Sequence, residues 1–433
     1  MKLVGLVDVN NFFVSCERVF NPKLHKRPVV VLSNNDGCVV ARSQEAKDLG
    51  IEMCVPWFQV KSFQKTHQLV YQSSNYKLYE NMSARVVHEL KTLAHEVIPY
   101  SIDEAFIQRS VKDYSEAFKY GKYVTTRIKK DLGLPVCIGL APTKTLAKIA
   151  NHIAKHPKNK VYNGCYVWGQ NKEWEEQLMR KESVAEVWGV GRKLVERLND
   201  MQIFTIADLK NADPRMIRSK FNIVVMRTVL ELNGQACIED HHKDIKESLV
   251  YSRMFSRSIS SREELETALV DYTFNAVARL RGQQTASKKV YIFANESYHR
   301  APDGRPVSIS ATASFDEPSD DPLTIVHHVK KLLREHYYPG ANYARAGVIF
   351  YDLSPTDYMQ PLDVFAPKKT ARAQLNKTYD LLTKSYGSHV LKWGAQGLSE
   401  TYSEDDDWRM KRNHLSPSYL SNWKELPTAL VKV

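Results

Sequence analysis

Apolar residues recur along this chain with two periods, one of runs and alternation and one of helical spacing, and the order in which the two follow each other predicts the fold. Residues 3–9, Leu-Val-Gly-Leu-Val-Asp-Val, form a short apolar run and predict a strand with an acid near its end. From Ser74 to Leu93 the residues Tyr76, Tyr79, Met82, Val86, Leu90 and Leu93 fall on one face of a predicted helix, their aromatics belonging to a core. A hairpin across 97–108, a helix over 113–132 closed by Gly133 and an apolar strand over 135–140 follow. The order is β-α-β-β-α-β. In the split form of that arrangement the third strand lies between the first and second, so the end of the first strand and the hairpin turn share one edge. Asp8 is therefore expected to meet Asp103 and Glu104.

Between the first strand and the 74–93 helix lies an insertion with strands near 28–33 and 37–41 and a short helix over 44–49 that ends at Gly50. Short helical patterns alternate with turns from Glu182 to Gly234 and predict an all-α module. The polar stretch 240–247 lacks periodicity and reads as a linker. After it come a strand over 249–254, a helix over 262–281, strands over 289–294 and 307–314, a helix over 323–336 and a strand over 346–353, so the β-α-β-β-α-β order returns. This second copy lacks acids at the corresponding strand ends and is expected to bind rather than catalyse. Beyond Ser354 the pattern is mixed, and the acidic run Glu404–Asp407 reads as a solvated turn.

With 433 residues, several cores are required. No apolar run reaches the roughly 18 residues of a membrane helix, and the N-terminal apolar stretch has no cleavage pattern, so a cytoplasmic protein without a membrane partner is expected. The six cysteines are scattered without a Cys-x-x-Cys pair, which argues against a zinc site or a disulfide framework and for buried thiols. A net charge of +12 favours a polyanionic partner.

The chemistry is concentrated in Asp8, Asp103 and Glu104, acids set in apolar strand patterns where an uncompensated carboxylate would be costly. Hard oxygen ligands suit Mg²⁺ or Mn²⁺, and Mg²⁺ completes its shell with water and substrate phosphates, so phosphoryl or nucleotidyl transfer is implied. Residues 139–151 run from a strand into a helix with Thr143 as its N-cap, and Lys144, Lys148, Lys155, Lys158 and Lys160 follow without an intervening acid, a face suited to phosphates. It is not a Walker loop, for the glycine spacing is absent. Gly189 and Gly191 precede a helix beside Arg192 and Lys193, where exposed backbone N–H groups suit a nucleic-acid backbone. Two rival readings are a metal-dependent cyclase or nuclease on the same kind of sheet, and an architectural DNA-binding protein whose acids are structural.

Four blocks, Asp8–Glu17, Ser33–Arg42, Tyr100–Phe106 and Thr143–Lys148, together resemble Y-family translesion DNA polymerases of the UmuC type, the catalytic subunits of DNA polymerase V. The resemblance spans essentially the whole chain. It implies an α+β multidomain fold: a ferredoxin-like palm (1–20 and 75–165), a small fingers insertion (21–74), an all-α helix-hairpin-helix thumb (166–240), a linker (241–248), a second β-α-β-β-α-β little-finger domain (249–354) and a C-terminal region (355–433). It implies Asp8, Asp103 and Glu104 as catalytic metal ligands for two Mg²⁺ ions, with Mn²⁺ as a substitute and the Val9 carbonyl as a fourth ligand. Phe13 matches the residue that excludes a ribose 2′-hydroxyl, and Phe12, Arg42, Lys47 and Lys155 would join it at the dNTP. Lys47 stands where many relatives carry arginine, and Gln44 where they carry tyrosine. DNA contacts would come from Gly189, Gly191, Arg192, Lys193 and Arg253. Residues 359–365 resemble a sliding-clamp peptide with Gln360, Leu362 and Phe365 as anchors, Pro361 displacing the glutamine. The resemblance also implies error-prone synthesis on primer-template DNA in the SOS response to DNA damage, association with the nucleoid at that time, and action with a processed UmuD-type dimer and a RecA-type recombinase filament.

Overall fold

The computed structural model describes residues 1–155, 164–239, 246–297, 306–356, 370–386, 391–396, 408–420 and 422–426. The chain forms two compact units, Met1–His241 with Asn413–Val433, and His242–Arg412. Among the described residues no helix is long and apolar enough to cross a membrane.

The first unit opens with β1 (Lys2–Val9) and α1 (Phe12–Phe20) and continues through β2 (Val29–Leu32), β3 (Val39–Arg42), α2 (Gln44–Asp48), α3 (Trp57–Val60), α4 (Phe63–Thr66) and β4 (Val70–Ser73). Next come α5 (Tyr76–Leu93), β5 (Glu96–Pro99), β6 (Glu104–Ser110), α6 (Tyr114–Leu132), β7 (Val136–Ala141), α7 (Lys144–Lys155) and β8 (Cys165–Val167). Five helices complete it: α8 (Lys172–Lys181), α9 (Arg192–Asn199), α10 (Ile206–Asn211), α11 (Pro214–Lys220) and α12 (Ile223–Leu232).

The main sheet has the order β5-β6-β1-β7-β8, with β1 antiparallel to both β6 and β7. The third strand of the motif thus lies between the first and second, as the split arrangement requires. Alternation along β1 divides the core: Leu3, Val7 and Val9 pack with α5 and α6 residues such as Tyr79, Met82 and Ile128, while Leu6 packs with α7 and the helices that follow. The second face admits close contact because residue 139 is glycine, where a Cβ would come within 2.1 Å of the Asn151 backbone nitrogen. Helix α7 therefore lies directly on β7. Asn151 fastens it, donating to the carbonyls of Leu6 and Cys137 at 3.1 Å each.

The insertion makes a small sheet, β3-β2-β4, over a core of Val30, Leu32, Val39, Ile51 and Leu69. Several elements go beyond the expected set, among them α1, α3, α4, α8, β4 and β8. Helix α1 is only nine residues long and opens at Asn11 in a left-handed conformation, so no periodic window reveals it. Strands β4 and β8, of four and three residues, are too short to show an alternation.

The second unit contains β9 (Ser248–Ile259), α13 (Arg262–Gly282), β10 (Thr285–Glu296), β11 (Ser308–Ser319), α14 (Pro322–His336), β12 (Tyr343–Pro355) and α15 (Thr370–Tyr386). Its element order repeats that of the first unit, but its pairing does not. The sheet order is β11-β10-β12-β9, so the third strand, instead of lying between the first and second, is left at the edge, and the fourth lies between the second and the first. Helix α15, unanticipated in a stretch of mixed composition, is tied to α13 by a two-pronged ion pair in which Arg281 donates to Asp380 at 2.6 Å through Nε and through Nη2.

All six cysteines are free; Cys16, Cys137 and Cys165 are buried as expected, whereas Cys54 is exposed.

Candidate active site

The strand register builds the site. Asp8 stands opposite Glu104 in the β1–β6 ladder and opposite Cys137 in the β1–β7 ladder. The Val9 N–H donates to the Asp103 carbonyl at 3.0 Å, which fixes the β5–β6 hairpin turn against the end of β1. Acids from two segments distant in sequence therefore share one sheet end. Asp8 is 6% exposed, and burial above all pushes its carboxyl up to about 7; the Lys155 ammonium opposes that rise and the neighbouring Glu104 adds to it.

Helix α7 supplies the countercharge. Lys148 Nζ bonds both Glu104 oxygens, at 3.0 and 3.3 Å, and Lys155 pairs with Asp8. Seven residues separate the two lysines, two helical turns, so they project from one face to successive carboxylates. Lys148 also lies over the rings of Tyr100 (4.3 Å) and Trp188 (5.4 Å), and the Trp188 indole donates to the Tyr100 hydroxyl at 2.9 Å. Lys144 does not join the expected phosphate face: it is buried, and its ammonium donates to the Ile238 carbonyl at 3.0 Å. Lys158 and Lys160 lie outside the described residues.

The Asp103 carboxylate accepts from the Ser101 hydroxyl at 2.6 Å. Among the described residues no three His, Cys, Asp or Glu side chains are gathered closely enough to hold a metal ion; the Asp8 and Glu104 carboxyl groups adjoin each other. The donor set still fits a hard divalent cation. It is all oxygen, and its most buried member is a carboxylate whose desolvation a single lysine does not offset.

Beyond the acids, the Phe13 ring is half-buried and stacks on Tyr79 at 4.2 Å with 11° between planes, while Tyr76 meets it edge-on at 6.3 Å. Phe12 must be reassigned. Adjacent residues of a helix point about 100° apart, and this ring turns inward, 4% exposed in the sheet core, so only its backbone could reach a nucleotide. In the insertion, Lys47 is held below the usual lysine range by partial desolvation and then by the nearby cations Arg42 and Lys155, with Asp8 acting in the opposite sense. Arg42, Lys47 and Lys155 thus form a cationic cluster beside Asp8. The Arg42 guanidinium also donates to the Ile51 carbonyl.

Gly189 has φ +85 and Gly191 caps α9; a Cβ at either would meet open space. Arg192 and Lys193 are exposed at that helix start. Arg253 belongs to the second unit, on β9, where its guanidinium lies 4.4 Å over the Tyr251 ring. Gln360, Leu362 and Phe365 lie outside the described residues.

A model described as impB/mucB/samB family matches residues 7–152, and one described as impB/mucB/samB family C-terminal domain matches 246–361. Protein ImpB of Salmonella typhimurium is 36% identical over 99% of this chain and 99% of its own length. The chain belongs to the impB/mucB/samB family. Another relative, Protein UmuC of Salmonella typhimurium (strain LT2), is 36% identical over 98% of this chain and 99% of its own. Residues 373–429 match a Domain of unknown function (DUF4113). Among solved structures, a Y-family DNA polymerase chimera of Dbh and Dpo4 superposes with a TM-score of 0.63 at 20% identity, over 82% of this chain and 99% of that one. The impB/mucB/samB chain therefore has the multidomain α+β fold of Y-family polymerases.

Sequence patterns gave no sign of Glu17, which is 1% exposed on α1 and accepts hydrogen bonds from the Tyr79 hydroxyl (2.8 Å) and the Ser416 hydroxyl (3.1 Å). Burial pushes its carboxyl up to about 7. A raised folded-state value means that the folded protein disfavours the ionised form. The associated cost is absent below the ordinary value of 4.5, grows as the pH rises, and is complete above about 7. Glu17→Gln removes that cost. Its chemical-denaturation stability is expected to match that of the parent near pH 4.5 and to exceed it by about 2–3 kcal/mol at pH 8; an equal difference at both pH values would contradict the assignment.

Proposed function

We propose that this chain is an error-prone, template-directed DNA polymerase of the SOS response, which transfers dNMP from a dNTP to a primer 3′-hydroxyl across damaged template positions. The observation that carries the reading is the pairing of buried Asp8 with Glu104 at one sheet end, with the Asp103 turn fastened beside them and α7 lysines over the carboxylates. Such a sheet end is where a triphosphate and a 3′-hydroxyl can be brought together in line.

Asp8, Asp103, Glu104 and the Val9 carbonyl would hold two Mg²⁺ ions, or Mn²⁺ in their place. When bound, that pair supplies neutralisation of phosphate charge and acidification of the primer hydroxyl. The protein's own groups do the positioning. Arg42, Lys47 and Lys155 form the cationic surface for the triphosphate, with Lys155 exchanging its Asp8 partner for phosphate oxygens. The half-buried Phe13 ring stands for discrimination against the 2′-hydroxyl. Residues 1–20 and 75–165 act as palm, 21–74 as fingers, 166–240 as thumb and 249–354 as little finger, joined by 241–248. Gly189 and Gly191 present backbone N–H groups, with Arg192 and Lys193, to DNA phosphates, a sequence-independent grip that leaves template reading to base pairing. Arg253 would contact DNA from the second unit. A processed UmuD-type dimer, a recombinase filament, and a sliding clamp engaged through 359–365 complete the proposed assembly at the nucleoid.

Incubating the protein with primed template and all four dNTPs, with Mg²⁺ and without it, tests the reading. Stepwise, template-matched extension that requires the metal is expected. DNA binding indifferent to metal and without extension would favour an architectural protein, and strand cleavage a nuclease.

A further inference from the structure

The last described residues of the chain return to the first unit. Residues 413–420 form a strap on the outer edge of the small sheet, where Leu415 bridges in parallel to Ser73 of the edge strand β4. The Ser73 N–H donates to the His414 carbonyl, and the His414 N–H to the Ser73 hydroxyl, both at 2.9 Å. Asp36 receives the Ser73 hydroxyl at 2.7 Å and the Asn413 N–H at 3.0 Å. Farther along, Tyr419 stacks on Phe20 of α1 at 4.9 Å and 9°. The edge is thus closed by the chain's own C-terminal segment, in the manner of an added strand.

At the centre of the strap is Ser416, 4% exposed. Its hydroxyl donates to Glu17 of α1 at 3.1 Å and receives the side-chain amide of Asn75, the N-cap of α5, at 2.9 Å. One hydroxyl therefore joins two helices. Helix α1 carries Phe13 and helix α5 carries Tyr79, the ring on which Phe13 stacks, and Tyr79 donates in turn to Glu17 at 2.8 Å. From strap to ring the path is Ser416, Glu17, Tyr79, Phe13, and every polar group on it is buried, where hydrogen-bonded chains hold geometry most tightly.

We propose that Ser416 is a positioning residue for sugar selection: by tying Glu17 to the cap of α5, the C-terminal strap sets the placement of the Tyr79 and Phe13 rings against the incoming nucleotide. The inference rests on the reading of Phe13 as the residue that excludes a 2′-hydroxyl. It gives the C-terminal segment a part in substrate discrimination, exerted through the helices that frame the nucleotide and without a contact of its own.

The test compares the full chain with its Ser416→Ala, Ser416→Thr, Tyr79→Phe and Phe13→Ala variants. Ternary complexes are formed on a dideoxy-terminated primer with Mg²⁺, so that binding is read without turnover, and dissociation constants are measured for dATP and ATP opposite a template thymine. The ATP/dATP ratio is expected to fall about fivefold in Ser416→Ala and in Tyr79→Phe, the size of one hydrogen bond, and to return in Ser416→Thr. A merely structural strap would lower thermal stability and weaken both nucleotides alike, leaving the ratio unmoved; that result overturns the proposal. Should Ser416→Ala fail to fold, Ser416→Cys, close in size with a weaker donor, takes its place. A ratio unmoved in Phe13→Ala would instead remove the sugar-selection reading itself, and the inference with it.

Discussion

Glu104→Gln and Asp103→Asn are each expected to lower primer extension by about a thousandfold or more while leaving affinity for primed DNA within about twofold. The substitutions keep side-chain volume and remove one negative charge. If these acids hold cations that neutralise the triphosphate, losing one charge weakens the site where charge develops in the transition state. DNA affinity, carried by cationic side chains and backbone N–H groups on phosphates, has no reason to fall. Glu104→Gln also leaves Lys148 with a neutral partner, but Lys148 keeps its places over Tyr100 and Trp188, so the α7 surface should persist. Single-nucleotide incorporation and fluorescence anisotropy at one fixed salt concentration measure the two quantities. Unchanged incorporation would reduce both acids to structural roles.

How far residues alone carried the reading depended on whether function rests on a strand end or on a contact between remote segments. Asp8 and Glu104 were legible because the split arrangement open to the β-α-β-β-α-β order sets the third strand beside the first, and register then sets the acids face to face. Lys148 and Lys155 were legible as a basic helix, but their actual partners were not: they pair with the Glu104 and Asp8 carboxylates, a choice made by distance rather than by pattern. Lys144 shows the opposite failure, a cation in the same run whose side chain is drawn into the unit by the Ile238 carbonyl. The second unit's sheet order could not be read at all, since identical element orders admit more than one antiparallel pairing and only packing of β12 between β10 and β9 decides it. Glu17 and Ser416 were invisible for a related reason. Their contact spans nearly the whole chain, and no local period records it.

Phe13→Ala is expected to admit ribonucleotides, lowering the preference for dNTP over rNTP in kcat/KM by about tenfold to a hundredfold. A flat ring excludes a hydroxyl by occupying its space, and truncation to a methyl group opens that space. Whether the opening persists depends on the neighbours. Tyr79, stacked at 4.2 Å, is the group best placed to move in, yet its hydroxyl is held by Glu17, itself buried and bonded to Ser416. The ring behind the gate is thereby fixed, and the space left by Phe13 should stay open rather than collapse. The same anchoring sets the cost: losing one half-buried, stacked ring should lower stability by about 1–3 kcal/mol, little enough for the variant to remain folded. Steady-state incorporation of dATP and ATP opposite one template base separates the outcomes. Equal exclusion of ATP by the variant would assign Phe13 to the core alone and would leave Tyr76, which meets it edge-on and is itself exposed, as the next residue to substitute.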